Sequence, residues 1–206
     1  MIPRIKICGL RDVAMAVEAA QAGANAIGLV FYGPSPRNVE IETARAIVAA
    51  LPAFVSTVGL FVDADPALVR QVIERTQIDL LQFHGDESPA YCRQFGRPYI
   101  KAVRVKPDTN LVEYCALYPD AKGVLVDAYV AGTPGGTGEA FDWSLLPKAL
   151  PLPLILSGGL NPDNVTDAIL QVQPWAVDVS SGVEAARGVK DPAKITAFIR
   201  AVHAAG

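Results

Sequence analysis

Short apolar runs alternate along the whole chain with longer stretches in which alanine and aliphatic residues recur at helical spacing. The runs RIKIC, AIGLVF, VSTVGLFV, DLLQFH, YIKAVRV, KGVLVDA, LPLILSGG and WAVDVSSG predict eight strands. Between and after them, VAMAVEAAQAG, IETARAIVAAL, PALVRQVIERT, SPAYCRQFG, a weaker LVEYCALY, a short WSLLPKAL, NPDNVTDAILQV and DPAKITAFIRAVHA predict helices. Asp12, Asn161 and Asp191 stand where a side chain caps a first turn, and Pro66, Pro162 and Pro192 suit the first helical position. Gly23 stands where a left-handed residue closes the first helix. A strand–helix repeat of about 26 residues over 206 residues predicts an α/β chain folded as one (β/α)₈ TIM barrel, a parallel eight-stranded sheet spanning residues 1–206. A doubly wound sheet is the competing architecture, disfavoured by the strand count and by the lack of any linker-like segment.

Within a barrel, one face of each strand meets the helices and the other lines the interior. The aliphatic face of RIKIC, Ile5 and Ile7, is then expected outward, with Lys6 and Cys8 inward. The same parity turns Leu81 and Phe83 outward and Gln82 and His84 inward, sets Asp127 at the end of VLVD, and opposes Asp178 and Ser180 to Val177 and Val179. Strands one and eight adjoin in a closed barrel. An inward lysine needs a counter-charge, so an ion pair between Lys6 and Asp178 is expected.

Composition narrows the function classes. The net charge is −3 and no basic block is interleaved with aromatics, so a nucleic-acid partner has no electrostatic footprint. No apolar run approaches the roughly 20 residues of a membrane span, and the first residues lack the pattern of a secretory signal. Cys8, Cys92 and Cys115 lie far apart in no metal-ligand spacing, which predicts neither a disulfide framework nor a metal site. A reducing, cytoplasmic location is the expectation.

Two late strand ends are rich in glycine, LSGGLNPDNV and VSSGVE. Loops after strands seven and eight of such barrels commonly grip a phosphate through backbone N–H groups. Gly158, Gly159, Ser180, Ser181 and Gly182 are the candidate residues, and a small phosphorylated molecule is the expected ligand.

The ordered set KICGL, GLVFYGPSPRNV, QFHGDE, LVDA, GGTGEAFDW, LSGGLNPDNV and DVSSGVEAARGVKD resembles the phosphoribosylanthranilate isomerase family over essentially the whole chain. Phe83, where leucine is common, and the short first loop CGLRD are its small departures. The resemblance implies a step of tryptophan biosynthesis. N-(5-phosphoribosyl)anthranilate becomes 1-(2-carboxyphenylamino)-1-deoxyribulose 5-phosphate by an Amadori rearrangement, without metal or organic cofactor. It further implies that Cys8 of KICG is the general base, Asp127 at the end of strand six the general acid, and Arg37 of SPR the partner of the anthranilate carboxylate. A free aspartate is ionised and a free thiol mostly protonated at neutral pH, so both roles demand help from their surroundings.

Each residue also has a plainer reading. Cys92 and Cys115 fit helix cores, His203 a surface and Asp178 structural support. His84 is open between holding the anthranilate, orienting a loop and being a satisfied strand-end group. The run AGTPGGTGEAF is open between a lid and an ordered loop. Alternative functions are a related barrel isomerase acting on the aminoaldose of histidine synthesis, an indole-glycerol phosphate synthase, and a sugar-phosphate-binding barrel without catalysis. Intact Cys8, Asp127 and Arg37 weigh against the last. Monomer and homodimer are both compatible with the sequence.

Overall fold

Lys6 lies directly opposite Asp178 where the first and last strands of the sheet meet, and this pairing closes a barrel. The computed structural model describes residues 2–106, 108–128 and 143–206. Its strands β1 (Arg4–Cys8), β2 (Ala26–Val30), β3 (Ser56–Phe61), β4 (Leu80–Phe83), β5 (Tyr99–Val105), β6 (Val124–Ala128), β7 (Leu154–Leu156) and β8 (Ala176–Val179) pair in chain order, all parallel. Around them run α1 (Val13–Ala22), α2 (Ile41–Ala50), α3 (Pro66–Thr76), α4 (Pro89–Arg93), α5 (Leu111–Leu117), α6 (Val165–Val172) and α7 (Pro192–Ala204). No described helix is long and apolar enough to cross a membrane.

The expected strand parity holds. Ile5, Ile7, Leu81, Phe83, Val177 and Val179 belong to the continuous apolar layer shared with the helices. Lys6, Gln82, Asp127 and Asp178 are buried polar residues of the opposite face. Beneath them Ile100, Ala102, Leu125, Ile155 and Ala176 form a separate apolar floor. A closed barrel fills its interior with such layers, so the polar groups are confined to the end where the strands terminate.

Helix ends follow local chemistry. Asp12 accepts from Met15 N at 2.8 Å, and Gly23 closes α1 at φ 117°. Asp65 and Asp191 cap α3 and α7, each followed by proline. The expected start of α6 is displaced. Asn161 uses its side chain to accept from Asp163 N and Asn164 N, Pro162 lies in the resulting turn, and the helix begins at Val165. In place of a helix at WSLLPKAL there is a 3₁₀ turn, Trp143–Leu145. Pro147 lacks an N–H and disfavours helical geometry at Leu146, which stops the turn there. A hairpin not anticipated from sequence joins β9 (Glu184–Ala186) to β10 (Val189–Lys190) through Gly188 at φ 80°.

One charged group sits in the helix-facing layer. Lys101 is fully buried on the outward side of β5, and its ammonium lies 3.3 Å from Glu87 Oε2. It also donates to the carbonyls of Phe83, Gly85 and Ala102 at 3.3, 2.7 and 3.1 Å. Glu87 Oε1 accepts from Asp63 N and Gly85 N, so the pair ties down the loop that follows β4. Removing one member of a buried pair strands the other. Lys101→Met is expected to lower the unfolding free energy by about 3–5 kcal/mol in urea denaturation; a loss under about 1 kcal/mol would show that water or relaxation replaces the ammonium.

Candidate active site

The C-terminal ends of the strands open into a cavity of about 640 Å³. Cys8, at the end of β1, is buried on its wall. Lys6 lies one layer below on the same face, with Nζ 2.8 Å from Asp178 Oδ1. Ser157 Oγ donates to Asp178 Oδ2 at 3.4 Å. Gly28 on β2 makes this crowding possible: a Cβ there would approach Cys8 Sγ to 2.8 Å and Lys6 Nζ to 3.1 Å. Burial pushes the Cys8 thiol above the ordinary thiol range; the nearby Lys6 ammonium opposes that push without reversing it. Burial also works against charging Lys6, but Asp178 and Cys8 outweigh it and raise the lysine.

Asp127, at the end of β6, faces the same cavity and is buried. Its Oδ2 lies 3.2 Å from His84 Nε2, and His84 Nδ1 lies 3.0 Å from Gln82 Nε2. The two ring nitrogens of His84 thus stand between the Gln82 amide and the Asp127 carboxyl. Among the described residues, Gln82 Oε1 is buried without a hydrogen-bond partner.

Arg37 comes from the loop after β2. Its Nε and Nη2 donate to Glu184 Oε1 and Oε2 at 2.7 and 3.0 Å, a bidentate pair. Gly9, at φ 81°, lies against this side chain, and a Cβ there would meet Arg37 Cδ at 2.7 Å. The glycine of KICG therefore leaves room first for Arg37, and through it shapes the cavity. Glu184 also accepts from Lys190 Nζ at 2.9 Å and from Gly188 N at 3.1 Å. Burial disfavours the Glu184 carboxylate, yet the bonds from Arg37 and Lys190 prevail and hold it below the usual carboxylate range. Lys190 is lowered by burial, which Glu184 only partly offsets.

The two glycine-rich ends meet at the same opening. Gly158 and Gly159 adopt φ 84° and 69°, the left-handed region. A Cβ on Gly182 would fall 1.9 Å from the Leu160 carbonyl oxygen, so the β8 loop packs directly on the β7 loop. Gly158, Gly159, Ser180 and Ser181 line the cavity, whereas Gly182 lies beneath, against Leu160. Among the described residues, the N–H groups of Gly158, Gly159, Ser181 and Gly182 have no acceptor. The Ser180 hydroxyl is already committed, donating to the Cys8 carbonyl at 3.0 Å and accepting from Lys190 at 3.2 Å. Its natural part is to hold the two strand ends together. Val30, Leu60, Tyr32 and Val62 supply an apolar wall beside Cys8.

All nine sequence candidates thus gather around one opening, eight lining it directly with Arg37 and His84 among them. Glu184 and Lys190 were not anticipated. Their signal was present in VEAARGVKD, where opposite charges flank a short Ala-Arg-Gly turn, but such a pattern reads equally as solvated surface. The run AGTPGGTGEAF, residues 131–141, lies outside the described residues. Among those described, no group of three or more His, Cys, Asp or Glu is placed to hold a metal ion.

Comparison with known proteins identifies the family. Residues 5–201 match the family described as N-(5'phosphoribosyl)anthranilate (PRA) isomerase. N-(5'-phosphoribosyl)anthranilate isomerase of Pseudomonas fluorescens strain Pf0-1 is 59% identical over 200 residues, covering 97% of this chain and 98% of that one. The crystal structure of phosphoribosyl anthranilate isomerase from Thermotoga maritima superposes with a TM-score of 0.90 at 40% identity, over 98% and 99% of the two chains. A crystal structure of a phosphoribosyl anthranilate isomerase in complex with reduced 1-(o-carboxyphenylamino)-1-deoxyribulose 5-phosphate superposes at a TM-score of 0.87, also at 40% identity, over 98% and 99% of the two chains. With the match spanning nearly the whole barrel and every strand end that builds the cavity, this chain belongs to the N-(5'-phosphoribosyl)anthranilate isomerase family.

Proposed function

We propose that this chain converts N-(5-phosphoribosyl)anthranilate into 1-(2-carboxyphenylamino)-1-deoxyribulose 5-phosphate by an Amadori rearrangement, with Asp127 as general acid and Cys8 as general base. The carrying observation is that a buried thiol from β1 and a buried carboxyl from β6 face one cavity. That cavity carries backbone N–H groups with no acceptor among the described residues, and an anchored guanidinium. The substrate has the matching layout: a phosphate, a sugar in the middle, and an aromatic carboxylate.

In this reading the phosphate binds the N–H groups of the β7 and β8 loops, assisted by the permissive backbone of Gly158 and Gly159. The anthranilate ring rests on Val30, Tyr32, Leu60 and Val62, and its carboxylate meets the edge of Arg37 that Glu184 leaves open. Asp127 protonates the furanose ring oxygen as the C1–O bond breaks, and the nitrogen lone pair forms the Schiff base. The Cys8 thiolate removes the proton from C2, giving an enolamine. Gain of a proton at C1 and loss of one from the 2-hydroxyl yield the aminoketose and restore the pair. Hydrogen moves from C2 to C1, so no oxidant or reductant is needed. A thiol raised by burial is scarce as thiolate but strong as a base once formed, and Lys6 limits the scarcity.

Three measurements follow. In a fluorescence assay on freshly generated substrate, corrected for spontaneous decay, Cys8→Ala and Asp127→Asn are expected to lower kcat by about 10²–10⁴-fold. Both should still bind the reduced product analogue; full activity in either folded variant removes its assigned role. Because burial raises Cys8, its alkylation by iodoacetamide, followed by peptide mass spectrometry, should accelerate only above the ordinary thiol range. Lys6→Met removes an opposing influence, so its onset should move further alkaline, and a move to lower pH would contradict the electrostatic account. Glu184→Gln frees the Arg37 fork and should raise KM about 10-fold with a smaller change in kcat; an unchanged KM would show that Arg37 needs no anchor.

A further inference from the structure

Resting on that reading, one cation at the mouth of the cavity still has no part assigned to it. Among the described residues, two arginines line the opening, Arg37 and Arg187. Arg37 gives its Nε and Nη2 to Glu184, so its charge is balanced before any ligand arrives. Arg187 stands exposed at the tip of the β9–β10 hairpin, and among the described residues its guanidinium has no hydrogen-bond or ionic partner. The ordinary reading of an exposed arginine is a solvated charge; the anchoring of this tip points elsewhere. Gly188 N donates to Glu184 Oε2 at 3.1 Å, the carboxylate that also holds Arg37. Gly188 lies so close to the Pro36 carbonyl that a Cβ there would fall 2.6 Å from its oxygen. Arg11 donates to that same oxygen at 2.6 Å and does not line the cavity. The tip is thus fixed against the loop that carries Arg37, while the base of the hairpin reaches the β8 end through Lys190 and Ser180.

We propose that Arg187 is a second cationic contact for the aromatic carboxylate of the substrate, and the residue by which the opening selects a carboxylated arylamino sugar over one with a plain phenyl ring. The two arginines divide the work. Arg37, held in a fixed fork by Glu184, offers direction through its remaining N–H groups. Arg187 offers uncompensated charge on a tip that is already in place. An exposed cation attracts a carboxylate weakly through water, and salt screens it. In the proposed binding mode the anthranilate ring covers Val30, Tyr32, Leu60 and Val62 and displaces water beside its carboxylate, which strengthens the attraction.

Two stable probes isolate this contact: the reduced product analogue, and its counterpart made from aniline, which keeps the phosphate and the sugar chain but lacks the carboxylate. Binding of each is measured by titration calorimetry at low and at high salt. The parent should prefer the carboxylated probe. Arg187→Ala should weaken that probe about 5- to 10-fold and leave the aniline probe within about twofold. Arg187→Glu, which turns attraction into repulsion, should weaken the carboxylated probe further. Its salt dependence should flatten in Arg187→Ala, because a screened charge has been removed. Unchanged binding of the carboxylated probe in Arg187→Ala overturns the proposal. Equal losses for both probes overturn it too, since they would place Arg187 on the phosphate or in the support of the fold. A folded parent that neither turns over phosphoribosylanthranilate nor binds either probe defeats the functional reading and the proposal with it. Turnover by the parent together with an unaltered probe preference in Arg187→Ala defeats the proposal alone.

Discussion

The barrel depends on a charge pair placed where it closes. Lys6 and Asp178 are register partners across the β1–β8 seam, and their 2.8 Å contact is almost wholly out of water. A pair so buried recovers its desolvation only in good geometry, so it is a weak source of net stability. Its physical effect is selective. Slipping β1 by one residue would carry Lys6 into the apolar layer between barrel and helices and leave Asp178 unpaired inside. The same register brings Cys8 to the rim one layer above the ammonium, and Gly28 on the next strand leaves the space both need.

The rim is correspondingly divided. Strands β1, β4, β6 and β8 bring Cys8, His84, Asp127 and Asp178 to the opening, whereas β2 and β3 bring Val30 and Leu60. Charged groups that stay buried are each anchored by others: Arg37 by Glu184, Glu184 by Lys190, and Lys190 by the Ser180 carbonyl at 2.9 Å. Such anchoring fixes the groups before any ligand arrives, which lowers the ordering cost of binding. The Lys101–Glu87 pair does the same from behind, holding the loop beyond His84 from the helix-facing side.

Much of this was legible as periodicity. The two-residue alternation in RIKIC and LLQF set strand parity, and with it the inward placing of Lys6 and Gln82, because a face buried against helices tolerates few polar side chains. Pro66 marked the start of α3, and Asp191 with Pro192 that of α7, through chemistry that is local to the sequence. What escaped was decided by partners distant in the chain. Glu184 reads as a solvated acid until Arg37, 147 positions away, is laid against it. Lys101 reads as the polar member of an alternating strand, yet its register turns it outward into a pocket that only Glu87 and three carbonyls make habitable. The shortened α6 and the 3₁₀ turn at Trp143 reflect competition close at hand, an asparagine side chain capturing its own turn and a proline ending another.

The layout also bears on how binding relates to rate. In the proposed chemistry the phosphate and the carboxylate are unchanged from substrate to product, so bonds to them would persist through the reaction and by themselves raise affinity without raising kcat. Acceleration must come from groups whose interactions change along the path. Only the thiol of Cys8 and the carboxyl of Asp127 change protonation in the proposed chemistry, and each is backed by a fixed polar neighbour, Lys6 for the first and His84 for the second. In that proposal the two pairs share a construction: a group that gains or loses a proton, and beside it a polar group able to donate a hydrogen bond. In a buried cavity such donors interact more strongly than in water and need no rearrangement as charge develops. In the proposed reaction the polar residues of the barrel interior therefore act as preorganised solvent as well as fixing the register of the fold.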